Sequence, residues 1–110
     1  MLAMRAYELM IIFTADTEES AVQTTANNLG KMAEEVGGSL EKIDKWGVRR
    51  FAYEMKHQNE GFYLVLEFLA PNALSEIDRT LRLADEVIRH KFIRLPLPEA
   101  HRRGLAAATV

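Results

Sequence analysis

Hydrophobic and polar residues alternate along three stretches of the chain, and a period of two predicts β-strands. The first stretch, from Arg5 to Phe13, is apolar on both of its faces, which predicts a central strand. The stretch 62–69 is a second strong strand with Phe62, Leu64, Leu66 and Phe68 in phase, and the stretch 88–95 is the last one. Proline follows both of them within two residues, and proline ends regular structure.

A longer extended region runs from Ser39 to Met55, but its alternation is irregular. The apolar phase slips between Leu40 and Ile43, and a glycine at position 47 interrupts it again. Glycine inside a strand is typical of a bulge or a tight bend. We therefore predict one strand with a bulge or kink near Trp46 and Gly47.

Aromatic residues and an arginine pair follow this bulge. Phe51, Tyr53 and Met55 share one face of a strand, which predicts that this face lies against a core. Arg49 and Arg50 are neighbours, so they point to opposite faces. Two guanidinium groups at this place are suited to clamping phosphates, and the alternative is a solvated strand end.

Two further stretches carry apolar residues at spacings of three and four, which predicts amphipathic helices. The first stripe is Val22, Ala26, Leu29, Ala33 and Val36, and the second is Leu74, Ile77, Leu81 and Ala84. Asp16 is the predicted cap of the first helix, and Asn72 or Ser75 that of the second. We expect five apolar side chains to meet in one core: Leu29, Phe51, Leu66, Leu81 and Phe92.

The predicted order is strand, helix, strand, strand, helix, strand, which is the ferredoxin-like, split βαβ arrangement of the α+β class. It places both helices on one face of a four-stranded antiparallel sheet and leaves the other face open. The predicted open face carries side chains that are not uniformly polar, such as Met10, Ala52, Tyr63 and Val65. An apolar open face needs a partner that covers it.

The last residues show no helical or strand period. Pro96 and Pro98 interrupt regular structure, and arginines at positions 102 and 103 precede a run of small residues. We therefore predict one domain over residues 4–96 and a flexible C-terminal tail over residues 97–110. We expect this tail to be mobile in the isolated protein and ordered by a partner, with Arg102 and Arg103 within reach of phosphate.

Composition removes several classes of active site. Cysteine is absent, so the chain has no disulfide, thiol nucleophile or thiolate metal site. The histidines at positions 57, 90 and 101 are too far apart in sequence to suggest a metal motif. His90 is in phase with Ile88 and Phe92, which favours a histidine at the edge of the core. We predict no catalytic residue, no metal and no cofactor.

The charge is unevenly distributed, although the whole chain carries only −2. Residues 1–41 hold two basic and seven acidic residues, whereas residues 79–110 hold seven basic and three acidic ones. Local basic surface, rather than net charge, binds phosphate. The basic residues that alternate through the second helix and last strand are Arg79, Arg82, Arg89, Lys91 and Arg94. With the Arg49–Arg50 pair, they predict recognition of structured RNA through its backbone, with little base stacking.

Four blocks of sequence resemble bacterial small-subunit ribosomal protein six. They are MRAYE at positions 4–8, GVRRFAY at 47–53, EGFY at 60–63 and LRLADEVIRH at 81–90. They occur in the right order, and the similarity covers about residues 4–98. The resemblance implies a ferredoxin-like fold, no catalysis and a place in the cytoplasmic ribosome.

The resemblance also implies partners. Members of this family pair with small-subunit ribosomal protein eighteen, and the two bind the central domain of small-subunit ribosomal RNA. The family's RNA-binding residues match Arg5, Arg49, Arg50, Arg82 and Arg89, to which the residue pattern adds Lys91. Ala84 departs from the pattern, since some members carry a basic residue there. The resemblance implies that the protein binds neither a membrane nor a small-molecule substrate.

Two other classes of protein share this predicted fold. One is an enzyme of the dimeric α+β barrel type, which requires a histidine or aspartate facing a cavity between helices and sheet. The other is a regulatory domain that binds a small ligand and dimerises through its sheet. Copurification with ribosomal RNA would distinguish the RNA-binding prediction from both.

Overall fold

The computed structural model of the chain describes residues 3–109. Met1, Leu2 and Val110, the last residue of the predicted tail, lie outside the described residues. One antiparallel sheet has the strand order β2-β3-β1-β4. Its strands are β1 (Arg5–Thr14), β2 (Ser39–Met55), β3 (Gln58–Ala70) and β4 (Val87–Leu95). The helices are α1 (Glu19–Glu35), α2 (Ser75–Leu83) and a short α3 (Leu97–Arg102). The predicted ferredoxin-like split βαβ fold is confirmed.

The main core lies between the sheet and the two longer helices. Alternate residues of β1 and β3 face these helices, and the apolar stripes of α1 and α2 pack against them. The exception is Val36, predicted in the first stripe, which follows the end of α1 and is 50% exposed. Three of the predicted core residues, Leu29, Leu66 and Leu81, are at most 2% exposed. Phe92 packs against the same cluster and is partly buried. The periodicity therefore identified the helix-facing side of each of these elements.

Phe51 is the exception, and its predicted place in this core is wrong. The strand β2 shifts register between Lys45 and Gly47, and Gly47 has a φ of +82°, as expected of a bulge. Before the bulge, Ile43 pairs with the helix-facing Leu66; after it, Arg49 pairs with Gly61 on the opposite face. One extra residue reverses the side of every residue that follows.

Phe51 therefore lies on the open face. Its ring is 6.3 Å from that of Tyr63, and a Cβ added to Gly61 would lie 2.9 Å from its Cζ. Tyr53, predicted to share a core face, is 79% exposed. Met10 and Val65, predicted on the open face, pair directly with each other there. Ala52 is exposed. It lies in β2 between Arg50 and Met55, which pair with Glu60 and Gln58 of β3.

The predicted side-chain caps are also wrong. Helix α1 begins after Glu18 and α2 after Leu74, and neither residue caps its helix through its side chain. Acidic residues in the first turns, such as Glu19 and Glu76, instead place negative charge near the exposed N–H groups. Gly37, with a φ of +84°, ends α1 as expected.

The C-terminal residues differ most from the prediction. Helix α3 follows Pro96, and the chain then turns so that Ala100, Leu105 and Ala108 are buried on the open face of the sheet. They form a second apolar cluster with Ala6, Leu69 and Leu95. The expectation that these residues form no helix and bury no side chain is therefore wrong. We call residues 97–109 the C-terminal strap.

Candidate nucleic-acid interface

The fold brings most of the predicted RNA-binding residues to one end of the sheet. Arg49 and Arg50 lie towards the end of β2, Arg89 lies near the start of β4, and Arg82 lies in the last turn of α2. The antiparallel register places them at the same end of the sheet. Arg49 is opposite Gly61 of β3, Gly61 is opposite Thr14 of β1, and Arg89 is opposite Ile12 of β1. We call this set, with Lys91, the cationic end.

Arg5 lies at the other end of the sheet. It pairs with Ala70 in the first position of β1, whereas Ile12, opposite Arg89, is seven residues further along. At about 3.4 Å per residue, this separates the two backbone positions by roughly 24 Å. Sequence order alone could not show this division, because it depends on the order and direction of the strands in the sheet.

Within the cationic end, the side chains leave the sheet in different directions. Arg49, Arg89 and Lys91 lie on the open face, since their partners across the strands are Gly61, Ile12 and Met10. Arg50 follows Arg49 and lies on the other face, opposite Glu60. Arg82 borders a surface depression of about 370 Å³ that also includes Lys56 and Gln58. The cations therefore surround one end of the sheet rather than covering a single face.

These cations are largely free of carboxylates. Among residues 3–109, Arg49, Arg50, Arg89 and Lys91 form no ion pair, and all four are exposed. Arg82 pairs with Asp78 at 3.4 Å one turn earlier on α2. An exposed pair of this kind is worth about 0.3–0.5 kcal/mol, so a phosphate can replace it. The cationic end therefore has charge available for an anionic partner.

Aromatic side chains lie beside these cations on the open face. Trp46 stacks on Tyr63 with ring centroids 6.1 Å apart and planes 9° from parallel. The guanidinium of Arg49 lies 5.6 Å from the centre of the Trp46 ring, which is within the range of a cation–π contact. Trp46 therefore lies on the open face, because its stacking partner Tyr63 belongs to that face.

The sequence did not identify this aromatic group. Phe51, Trp46 and Tyr63 come from two strands, and only the bulge in β2 places them on one face. Beside them lies a depression of about 280 Å³. Its lining includes Met10, Ile12, Met55, Tyr63, Arg89 and Lys91. The glycine at position 47 is the sequence signal for this arrangement, because a bulge there reverses the faces of the residues that follow.

His90 occupies the place at the edge of the core that the sequence predicted. Its Nε2 lies 2.7 Å from Asp78 Oδ1, its side chain is 11% exposed, and its ring meets Phe92 edge-on. These contacts fix α2 against β4. No group of three histidine, aspartate or glutamate side chains in residues 3–109 is placed to hold a metal ion.

One arginine of the C-terminal strap, Arg103, is not placed as the sequence suggested. Arg103 donates to Glu8, Glu67 and Glu99, and Arg102 donates to Glu99. The hydrogen bond to Glu99 is the main cause of the raised pKa of Arg103, with that to Glu8 next. Arg103 is therefore committed to carboxylates of its own chain rather than available to phosphate.

None of the helices in the described part of the chain is both long enough and apolar enough to cross a membrane.

Comparison with known proteins gives one consistent result. The sequence profile of the family described as "Ribosomal protein S6" matches residues 6–94. The small ribosomal subunit protein bS6 of Streptomyces griseus is 42% identical over 99 residues, which cover 89% of this chain and all of that protein. The bS6 protein of Acidothermus cellulolyticus is 40% identical over 92 residues, covering 83% of this chain and 96% of that protein.

A solved structure agrees with the sequence comparisons. The crystal structure of 30S ribosomal protein S6 from Thermotoga maritima matches with a TM-score of 0.80 and 31% identity, covering 94% of this chain and 98% of that one. The relatives are structural proteins of the small ribosomal subunit rather than enzymes. The chain therefore belongs to the ribosomal protein S6 family.

Proposed function

We propose that this chain binds the central domain of small-subunit ribosomal RNA together with small-subunit ribosomal protein eighteen in the cytoplasmic ribosome. In this role it acts without a cofactor, a metal or a small-molecule substrate. The observation that supports the proposal best is the cationic end, where five basic side chains from three elements lie at one end of the sheet and four have no carboxylate partner among residues 3–109.

The arrangement of the charges favours RNA backbone as the ligand. Arg49 and Arg50 project to opposite faces of one strand, so a single small anion would not contact both. Phosphates of a folded RNA are spread over a surface and suit such a divided set. Arg5, at the far end of the sheet, is proposed as a separate contact with RNA.

The open face supports the proposal of a protein partner. On this face Trp46 is 40% exposed and lies beside Tyr63 and Phe51. Ile93, opposite Glu8 on β4, is 42% exposed on the same face. Exposed aromatic side chains that are grouped on one surface are typical of protein interfaces. We therefore place protein eighteen on the open face and the RNA backbone around the cationic end.

Equilibrium binding tests this function. A fragment of the central domain is titrated with the chain alone, with protein eighteen alone and with both proteins together. We expect the pair to bind more tightly than either protein and to prefer the fragment over an unrelated structured RNA of equal length. Equal affinity for the two RNAs, or no gain from the second protein, would contradict the proposal.

A further inference from the structure

The open face carries a pair of facing carboxylates, whose mutual repulsion a nearby cation would relieve. Glu8 of β1 and Glu67 of β3 are directly opposite each other in the register of the sheet. Glu67 is only 6% exposed and is the one buried charged residue in the described part of the chain. Like charges in this arrangement repel each other, and burial increases the cost of leaving them unpaired.

Arg103 supplies the missing charge from the C-terminal strap. Its Nη1 lies 2.9 Å from Glu8 Oε1 and 3.1 Å from Glu67 Oε2, and its Nε lies 2.8 Å from Glu99 Oε2. One guanidinium thus joins two strands of the sheet to helix α3. Charge-assisted hydrogen bonds with several acceptors fix geometry as well as energy.

The rest of the strap has few large apolar contacts. Its buried side chains are Ala100, Leu105 and Ala108, so the second cluster contains only one large residue from the strap that is fully buried. The strap ends beside the start of β1, where Thr109 N donates to Met4 O at 2.9 Å. With so little apolar area, docking of the strap depends strongly on Arg103.

The docked strap borders the surface proposed for the protein partner. Arg103 and Trp46 line the same depression of about 270 Å³, whose other lining residues include Lys42, Asp44 and Val65. The groove on the open face therefore has the strap on one side and the aromatic group on the other. A wall that is already ordered does not have to lose conformational freedom when a partner binds.

We infer that Arg103 is a latch: it holds the C-terminal strap on the sheet and so preorganises one wall of the groove that receives the protein partner. Arg103 is a positioning residue here, because it acts through the strap. The inference rests on the proposed function for the identity of the partner, whereas the latch itself concerns this chain alone.

Replacing Arg103 with glutamine tests the latch, and Arg102→Gln is the matched control. Arg102 is adjacent, its side chain is 75% exposed, and Glu99 is its only hydrogen-bond or ion-pair partner among residues 3–109. In Arg103→Gln we expect amide exchange of residues 97–109 to accelerate about tenfold or more, since a buried carboxylate loses its charged partner. Arg102→Gln should leave exchange within about twofold of the parent.

A second variant separates a lost latch from general unfolding. Glu67→Gln combined with Arg103→Gln removes the buried charge as well as its partner, so it should recover part of the strap protection. Exchange in β1 and β3 should stay slow in all variants. Unchanged exchange of the strap in Arg103→Gln, or no recovery in the double variant, would overturn the latch.

Affinity for protein eighteen, measured without RNA, tests the second half of the inference. We expect Arg103→Gln to weaken it about tenfold, because the strap must be ordered again on binding, and Arg102→Gln to leave it unchanged. If the strap is released in Arg103→Gln but the affinity equals that of the parent, the claim that the strap forms a wall of the groove is wrong. Tighter binding by Arg103→Gln would also contradict it, because the strap would then obstruct the partner. No binding by the parent chain would refute the proposed partner, whereas the exchange data would still decide the latch.

Discussion

The two ends of the open face use arginine in opposite ways. At the cationic end, Arg49 and Arg89 lie opposite Gly61 and Ile12, which offer no charge. At the strap end, Arg103 lies over the facing carboxylates Glu8 and Glu67. The residue type is the same, but the neighbours across the strands differ. Availability for an external phosphate is therefore decided by whether carboxylates of the chain contact the arginine, rather than by the number of basic residues in a segment.

The two apolar clusters show a parallel contrast. The main core contains Phe13, Phe68 and several fully buried leucines and isoleucines, whereas the strap contributes Ala100, Leu105 and Ala108 to the second cluster. Less apolar area is buried under the strap, so its docking is worth less free energy than the packing of the helices. The strap is expected to open without unfolding the domain.

The largest expected effect tests this difference in stability. Leu81→Ala in α2, where Leu81 is 2% exposed, should lower the free energy of unfolding by about 2–5 kcal/mol. Leu105→Ala makes the same change in the strap and should cost less in a global denaturant melt, because the strap can open alone. Equal losses in the two melts would show that strap and domain unfold as one unit.

Replacing Phe51 should lower the free energy of unfolding by less than replacing Leu81. This difference tests whether Phe51 lies on the open face. Its ring is half-buried on the open face, so Phe51→Ala should cost about 1–2 kcal/mol in denaturant melts, below the 3–5 kcal/mol typical of a phenylalanine in a core. The same variant should weaken binding of the protein partner. A loss above about 3 kcal/mol would return Phe51 to the main core.

The smallest effect concerns acid. The hydrogen bond from Arg103 is the first cause of the lowered pKa of Glu99, whose usual value is 4.5. A lowered carboxyl pKa contributes stability that is present above about pH 4.5 and is lost as the pH falls through the folded-state value. We expect strap protection, corrected for intrinsic exchange, to fall in this acidic range.

Glu99→Gln is the control for this pH dependence, because it removes the titrating group. Its strap should be less protected at neutral pH and should lose less protection on acidification. An identical pH profile in the parent and in Glu99→Gln would assign the acid effect to other carboxylates. Glu99 belongs to the strap and not to the cationic end, so RNA affinity should show no matching loss attributable to Glu99.

Much of this fold followed from periodicity. The four strands, the two longer helices, their buried faces and the bulge at Gly47 were all predicted, because each depends on residues close in sequence. The face of Phe51 was mispredicted. One extra residue in β2 reverses the faces of all residues after it, and the sequence near the bulge does not show how β2 pairs with β3 beyond it. The prediction was correct about the bulge and wrong about its consequence.

The strap could not be recognised by the same means. Its helix has six residues, which is under two turns, and the buried positions after it follow turns rather than a repeat. The role of Arg103 depends on Glu8 and Glu67, which are 95 and 36 residues away along the chain. The grouping of the predicted RNA-binding residues, apart from Arg5, at one end of the sheet could not be predicted from the sequence either, because it depends on the order of the strands.

The salt dependence of RNA binding tests the central claim most directly. Affinity for the central-domain fragment, with protein eighteen present, is measured from low to high salt for the parent, for Arg49→Ala/Arg50→Ala and for Arg102→Ala. We predict that the double variant binds about tenfold or more weakly, and that the slope of log affinity against log salt becomes shallower by about 0.7–0.9 for each lost phosphate contact. Arg102→Ala should match the parent in both. Unchanged affinity and slope in the Arg49/Arg50 variant would contradict the claim that the cationic end holds the RNA.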